Sequence, residues 1–226
     1  GAGNCSVDWC VDWIKKNMET MNAVSVDTET YGVGHRSALD QYSCKLHAIG
    51  ISFCPSNEAL SWLADGTLGR DATRKINEAF RELMFNEKIT KIYHNGNYDR
   101  EVLLRHGFTG KGEIQDTLIL SHLSDPEQDH GLGPLTSYLI DTDPWKVEYR
   151  QLEKKGANTL ERLLYYNGRD ALSTQQICPL LMNRVIEVNQ QHIATLELEM
   201  SEIASHMGRI GIPIDEEKRR AIEIRL

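Results

Sequence analysis

The stretch Ala23-Val24-Ser25-Val26-Asp27-Thr28-Glu29 constrains this chain more than any other, because an apolar β run ends in two carboxylates one residue apart. Successive side chains of a strand point to opposite faces, so Asp27 and Glu29 share a face with Ala23 and Ser25 while Val24 and Val26 fill the other. Small residues leading into two acids describe a crowded polar site at the C-terminal edge of a sheet, where open α/β sheets bind ligands. An isolated Asp-x-Glu is usually only a pair of solvated strand-end residues. Two distant segments change that balance: Asn95-Gly96-Asn97-Tyr98-Asp99 after a second strand, and Tyr166-Asn167-Gly168-Arg169-Asp170 within a helix.

Asp99 falls in the first turn of a helix, where unpaired amides and the helix dipole favour a carboxylate. Tyr166 and Asp170 are four apart and therefore on one helix face, together with Leu163 and Ile177. Taken singly, these are a helix start, a half-buried tyrosine and a solvent carboxylate. Taken together, in this order and with Asn95 and Tyr166 beside them, they are poorly explained by coincidence. Four carboxylates drawn close repel one another and raise each other's pKa unless cations fill the gap. Hard oxygen ligands without His or Cys partners point to Mg²⁺ or Mn²⁺ rather than zinc.

The remaining periodicities place these residues in an α/β layered fold with a mixed sheet, since strands come early and then alternate with helices. Ser6 caps a first helix carrying Val7, Trp9 or Cys10, Trp13 and Ile14, and Ala23 to Glu29 is the first strand. Leu46 to Cys54 and Ala59 to Leu63 continue it as a meander. Asp71 to Phe85 reads as a helix, Ile89 to Tyr93 as a strand, Asn97 to His106 as a helix, Ile114 as a short last strand and Thr117 to Leu123 as an apolar helix. Asp125 to Gly133 is rich in turn residues, and from Leu135 onward the chain reads as mainly helical, with a polar break near Lys154 to Asn158.

Length and charge narrow the function. A chain of 226 residues can bury one large domain plus an appendage. It has no apolar run of the roughly 18 residues needed to cross a bilayer, and no secretory layout at its start, so a cytoplasmic, non-secreted protein without a membrane partner is expected. Five cysteines without a Cys-x-x-Cys pair read as reduced, mostly structural thiols. A formal net charge of -8, from 25 basic and 33 acidic residues, repels a polyanion at long range. Bound divalent cations would ease that locally, but the unaided grip on nucleic acid is expected to be weak. Gly1-Ala2-Gly3 reads as a cloning or processing remnant.

At these residues the sequence resembles the proofreading 3′–5′ exonuclease domain of family A DNA polymerases, the tyrosine-bearing branch of the DEDD exonucleases. The first motif is Asp27-Thr28-Glu29-Thr30, the second runs from Asn95 to Asp99, and the third is Tyr166 followed by Asp170. The histidine branch would carry His at position 165, where this chain has Tyr165. Asp116-Thr117-Leu118 is similar to the family's Asp-Thr-Met stretch, and Leu196 to Met200 with Met207 to Asp215 resembles the lead-in to the polymerase domain. The resemblance implies a ribonuclease H-like mixed sheet flanked by helices. It assigns residues 1–190 to the exonuclease and 191–226 to a helical lead-in, with the polymerase itself in a longer protein.

The resemblance also implies roles. Asp27 bridges two divalent cations, Glu29 and Asp170 complete the first, and Asp99 holds the second. Tyr166 orients the attacking water with Glu29, Asn95 touches the terminal nucleotide, and Thr28 belongs with the substrate contacts. Val33 stands where the family often has a Leu wedged against the terminal bases. The implied substrate is a single-stranded or frayed DNA 3′ end, released as nucleoside monophosphates. Two rivals share the fold: a stand-alone exoribonuclease of the ribonuclease D type, and a catalytically silent polymerase scaffold.

Overall fold

The computed structural model describes residues 5–34, 37–67, 69–140, 142, 145–147 and 159–223. The predicted polar break at Lys154 to Asn158 and the segment Gly1-Ala2-Gly3 lie outside them. Helix α1 (Val7–Thr20) begins at Ser6, whose hydroxyl accepts from the Trp9 amide at 3.2 Å, satisfying one of the helix's orphan donors. Strand β1 (Ala23–Tyr31) follows and becomes the centre of a five-stranded sheet.

β1 pairs antiparallel with β2 (Lys45–Cys54), which pairs antiparallel with β3 (Leu60–Leu63). On its other side β1 pairs parallel with β4 (Thr90–Tyr93), and β4 pairs parallel with β5 (Ile114–Asp116), giving the order β3-β2-β1-β4-β5. The parallel pairings need crossovers, supplied by α2 (Arg70–Phe85) and α3 (Asn97–Arg105). Further helices are α4 (Thr117–Ser124), α5 (Leu132–Leu139), α6 (Leu160–Glu187), α7 (Gln191–Ile210) and α8 (Glu216–Glu223).

The sheet separates two apolar clusters. Val24 and Val26 of β1 join Ile14, Phe80, Leu83 and Val102 on the face covered by α1, α2 and α3. On the other face Leu120, Leu135, Ile177 and Leu181 come from α4, α5 and α6. Each such side chain, fully buried, contributes roughly 1.5–3 kcal/mol. The alternation of β1 thus works as expected: its valines meet oil, and Ser25 and Asp27 face α6.

Two details depart from the periodicity. β1 runs two residues past Glu29, and its pairing slips there, with Glu29 opposite Ala48 but Thr30 opposite Leu46. Such a bulge re-aims side chains locally, and sequence periodicity cannot register it. Helix α5 starts at Leu132 rather than Leu135, because Pro134 sits in its first turn, where a missing N–H costs nothing. Helix α7 is seated on α3. The Ser201 and Ser205 hydroxyls both donate to Asn97 Oδ1, at 2.6 and 3.0 Å, and Arg209 reaches the buried Glu101 carboxylate at 2.9 Å. Leu196, Met200, Ile203, Met207 and Ile210 of α7 remain exposed.

Gly50 of β2 lies opposite Asp27, and a Cβ there would stand 2.7 Å from Asn167 Oδ1 and 2.8 Å from the Asn167 carbonyl oxygen. Gly50→Ala should therefore push α6 off the sheet and destabilise the protein by about 1–3 kcal/mol, read as a lower urea midpoint. An unchanged midpoint would mean that α6 has slack over β2.

Candidate active site

The acidic end of β1 is organised by one helix crossing it. The Ser25 hydroxyl, fully buried, donates to the Ala171 carbonyl of α6 at 2.6 Å. One turn earlier, Asn167 Nδ2 donates to Asp27 Oδ2 at 2.7 Å while Ser61 Oγ donates to Asn167 Oδ1 at 2.6 Å. With α6 fastened at residues 167 and 171, Tyr166 and Asp170 are carried to the carboxylate of Asp27. Burial pushes the Asp27 carboxyl well above its usual range, and the charges of Asp170, Asp99 and Glu29 push the same way, with Lys146 opposing.

Asp99 arrives from the opposite face of the sheet. Its helix begins at a turn in which Asn95 has φ of 60° and a Cβ on Gly96 would lie 2.4 Å from Tyr93 Cβ, so only glycine fits. Asp116 clamps the turn: its carboxylate accepts from the amides of Asn95 at 3.0 Å, Gly96 at 2.7 Å and Leu118 at 2.9 Å, the last as the cap of α4. Asp99 Oδ1 then accepts from the Thr28 amide at 2.9 Å and hydroxyl at 2.6 Å. Burial raises the Asp99 carboxyl to about 7 in spite of those two donors. Thr28, grouped with the substrate contacts on sequence grounds, points away from Asp27 and spends both donors on Asp99, because strand alternation puts it on the other face.

Asp170 is buried and doubly engaged. Trp145 Nε1 donates to Oδ1 and Lys146 Nζ to Oδ2, each at 2.6 Å, and Lys146 also donates to the Tyr166 hydroxyl at 3.1 Å. Burial and the neighbouring Asp170 charge lift the Tyr166 phenol to about 12, against the pull of Lys146. The hydroxyl therefore stays protonated at neutral pH and can donate a hydrogen bond. Asn95 is exposed at the start of α3, and Val33 is exposed just beyond β1.

Four carboxylates of hard-oxygen type, mutually repelling and already attended by an ammonium, fit a divalent cation by their chemistry. As the side chains stand, no three His, Cys, Asp or Glu among the described residues are gathered closely enough to ligate one. Asp27, Asp99 and Asp170 each accept from protein donors. Asn167, Trp145 and Lys146 were not singled out from the sequence. Asn167 lies inside the third motif and could have been; Trp145 and Lys146 carry no recognisable spacing.

The chain has known relatives. A family model described as 3′-5′ exonuclease, of the DNA polymerase A type, matches residues 10–186, well over half the chain. The chain belongs to the 3′–5′ exonuclease domain family of family A DNA polymerases. DNA polymerase I of Synechocystis sp. (strain ATCC 27184 / PCC 6803 / Kazusa) is 25% identical over 214 residues, covering 91% of this chain and 21% of that protein. The chain thus spans about a fifth of that relative's length. Brucella melitensis NrnC with bound Mg²⁺ shares the fold at a TM-score of 0.61 and 23% identity, over 85% of this chain and 87% of that one. Escherichia coli RNase D, an exoribonuclease involved in structured RNA processing, does so at 0.66 and 17%, over 89% and 49%. The α/β mixed sheet expected from the sequence is the fold of these structures. No helix of the described residues is long and apolar enough to cross a membrane.

The raised Asp99 carboxyl has a defined sign for stability. A carboxyl held at about 7 when folded, against an ordinary 3.8, keeps a proton that the unfolded chain has released. Its stabilising contribution is complete below about pH 4 and lost as the pH rises through about 7. In EDTA, Asp99→Asn should flatten the fall in urea midpoint between about pH 4 and about pH 8 relative to the parent. Parallel pH profiles would show that Asp99 ionises without cost.

Proposed function

We propose that this exonuclease domain removes the terminal nucleotide from single-stranded or frayed DNA 3′ ends by water attack on the last phosphodiester, releasing nucleoside monophosphates. The observation that carries the reading is α6 fastened over the acidic end of β1, which brings Tyr166 and Asp170 to Asp27 while Thr28 holds Asp99 from the other side. Asp27, Glu29, Asp99 and Asp170 would hold two divalent cations, Mg²⁺ or Mn²⁺. Such a pair, when bound, stabilises the attacking and leaving oxygens of an in-line displacement.

The chain's own groups do the positioning. Tyr166, protonated, donates to the nucleophilic water beside Glu29 and acts as an orienting partner rather than a base. Asn95 meets the terminal nucleotide, and Val33 lies against the terminal bases. Thr28 acts through Asp99. A paired end must melt before its phosphodiester reaches a recessed site, and mismatched ends melt more readily, so proofreading needs no readout of base identity. Membership in the family and the Synechocystis relative support a polymerase domain in cis, with residues 1–190 as the exonuclease and 191–226 as its lead-in. A partner domain would also supply the grip that a net charge of -8 withholds.

Release of mononucleotides from a labelled single-stranded oligonucleotide in Mn²⁺ tests the reading. Tyr166→Phe should lose roughly 10- to 1000-fold in rate, and Asp27→Ala, which removes a proposed ligand of the cations, more. An Asp27→Ala enzyme as fast as the parent at saturating metal would refute the mechanism. Mismatched primers should be shortened faster than matched ones. Oligonucleotides of one sequence in DNA and RNA decide the sugar: preference for RNA would support the ribonuclease D-like reading, and no release from either the silent scaffold.

A further inference from the structure

Among the described residues, one of the protein's own cations reaches these carboxylates. Lys146 Nζ lies 2.6 Å from Asp170 Oδ2 and 3.1 Å from the Tyr166 hydroxyl, and 5.0 Å from the centre of the Tyr166 ring. Its side chain is 22% exposed and that of Asp170 7%, so the pair is largely shielded from solvent. The aliphatic stem passes over α5 at Gly133, where an added Cβ would come 3.1 Å from Lys146 Cδ. The adjoining Trp145 takes the other oxygen of Asp170. Two consecutive residues thus engage both oxygens of one acid.

A carboxylate oxygen that accepts a short charge-assisted bond has little left to offer a metal, and an ammonium beside a divalent cation is repelled by it. Conversely, an acid cluster deprived of any cation is strained by its own charge. We infer that Lys146 is the resident counter-cation of this site: it holds Asp170 and Tyr166 in place while no metal is bound, competes with the divalent cation for Asp170, and is driven out when the cation binds. The inference rests on Asp170 being a metal ligand, as proposed above. It makes metal affinity a property of a residue outside the acidic motifs.

The test is Mn²⁺ binding to the 226-residue chain by titration calorimetry, without nucleic acid. Lys146→Met should bind Mn²⁺ about tenfold or more tightly than the parent, and Lys146→Arg, which keeps the charge, within about threefold of it. Equal affinity of Lys146→Met and parent overturns the inference and leaves the exonuclease reading standing. Absence of any Mn²⁺ uptake by the parent removes both. Should Lys146→Met not fold, amine labelling of the parent followed by mass spectrometry decides. Lys146 should react slowly in EDTA and several-fold faster in saturating Mn²⁺, and equal rates in the two overturn the inference.

Discussion

Everything at the acidic edge depends on how closely α6 approaches the sheet. The approach is possible because β2 carries Gly50 where Asn167 descends, and because β1 presents Ser25 rather than a larger residue beneath Ala171. Two hydrogen bonds, Ser25 to Ala171 and Asn167 to Asp27, then set the helix in both height and register. With that register set, residues 166 and 170 follow from helical geometry alone. A helix held only by oily contacts could slide by a fraction of a turn, whereas one seated by directional bonds to buried polar groups cannot do so without leaving donors unpaired.

The electrostatic problem of gathering acids is met one residue at a time. Asp99 receives two donors from Thr28, Asp116 three backbone amides, Asp27 an asparagine, and Asp170 an indole and an ammonium. Only Asp116 is satisfied in a way that a metal could not improve, because its amides belong to a turn and a helix start that the fold needs. Of the other acids' partners, Lys146 at Asp170 is a long side chain, 22% exposed, that can withdraw. The structure thus makes Asp116 an acid that builds the scaffold.

The parts legible in the sequence are those that local geometry determines. Alternation along Ala23 to Glu29 and the four-residue spacing from Tyr166 to Asp170 are statements about single elements, and both hold in space. The mixed α/β layering followed from the alternation of strands with helices. What could not be read were relations between elements: the slip in pairing after Glu29, the descent of Asn167 onto Gly50, and the arrival of Trp145 and Lys146 at Asp170. Thr28 illustrates the same limit, since its position within a motif suggested substrate while its face of the strand committed it to Asp99.

The seating of α7 on α3 carries a mechanical implication. Ser201, Ser205 and Arg209 grip Asn97 and Glu101, which stand two residues to either side of Asp99 on a helix of only nine residues. Tension applied along α7 is therefore delivered to a short rigid rod whose middle bears one of the four acids. Whatever is joined to the far end of α7 holds a lever on the acidic pocket, and can bias it without touching nucleic acid.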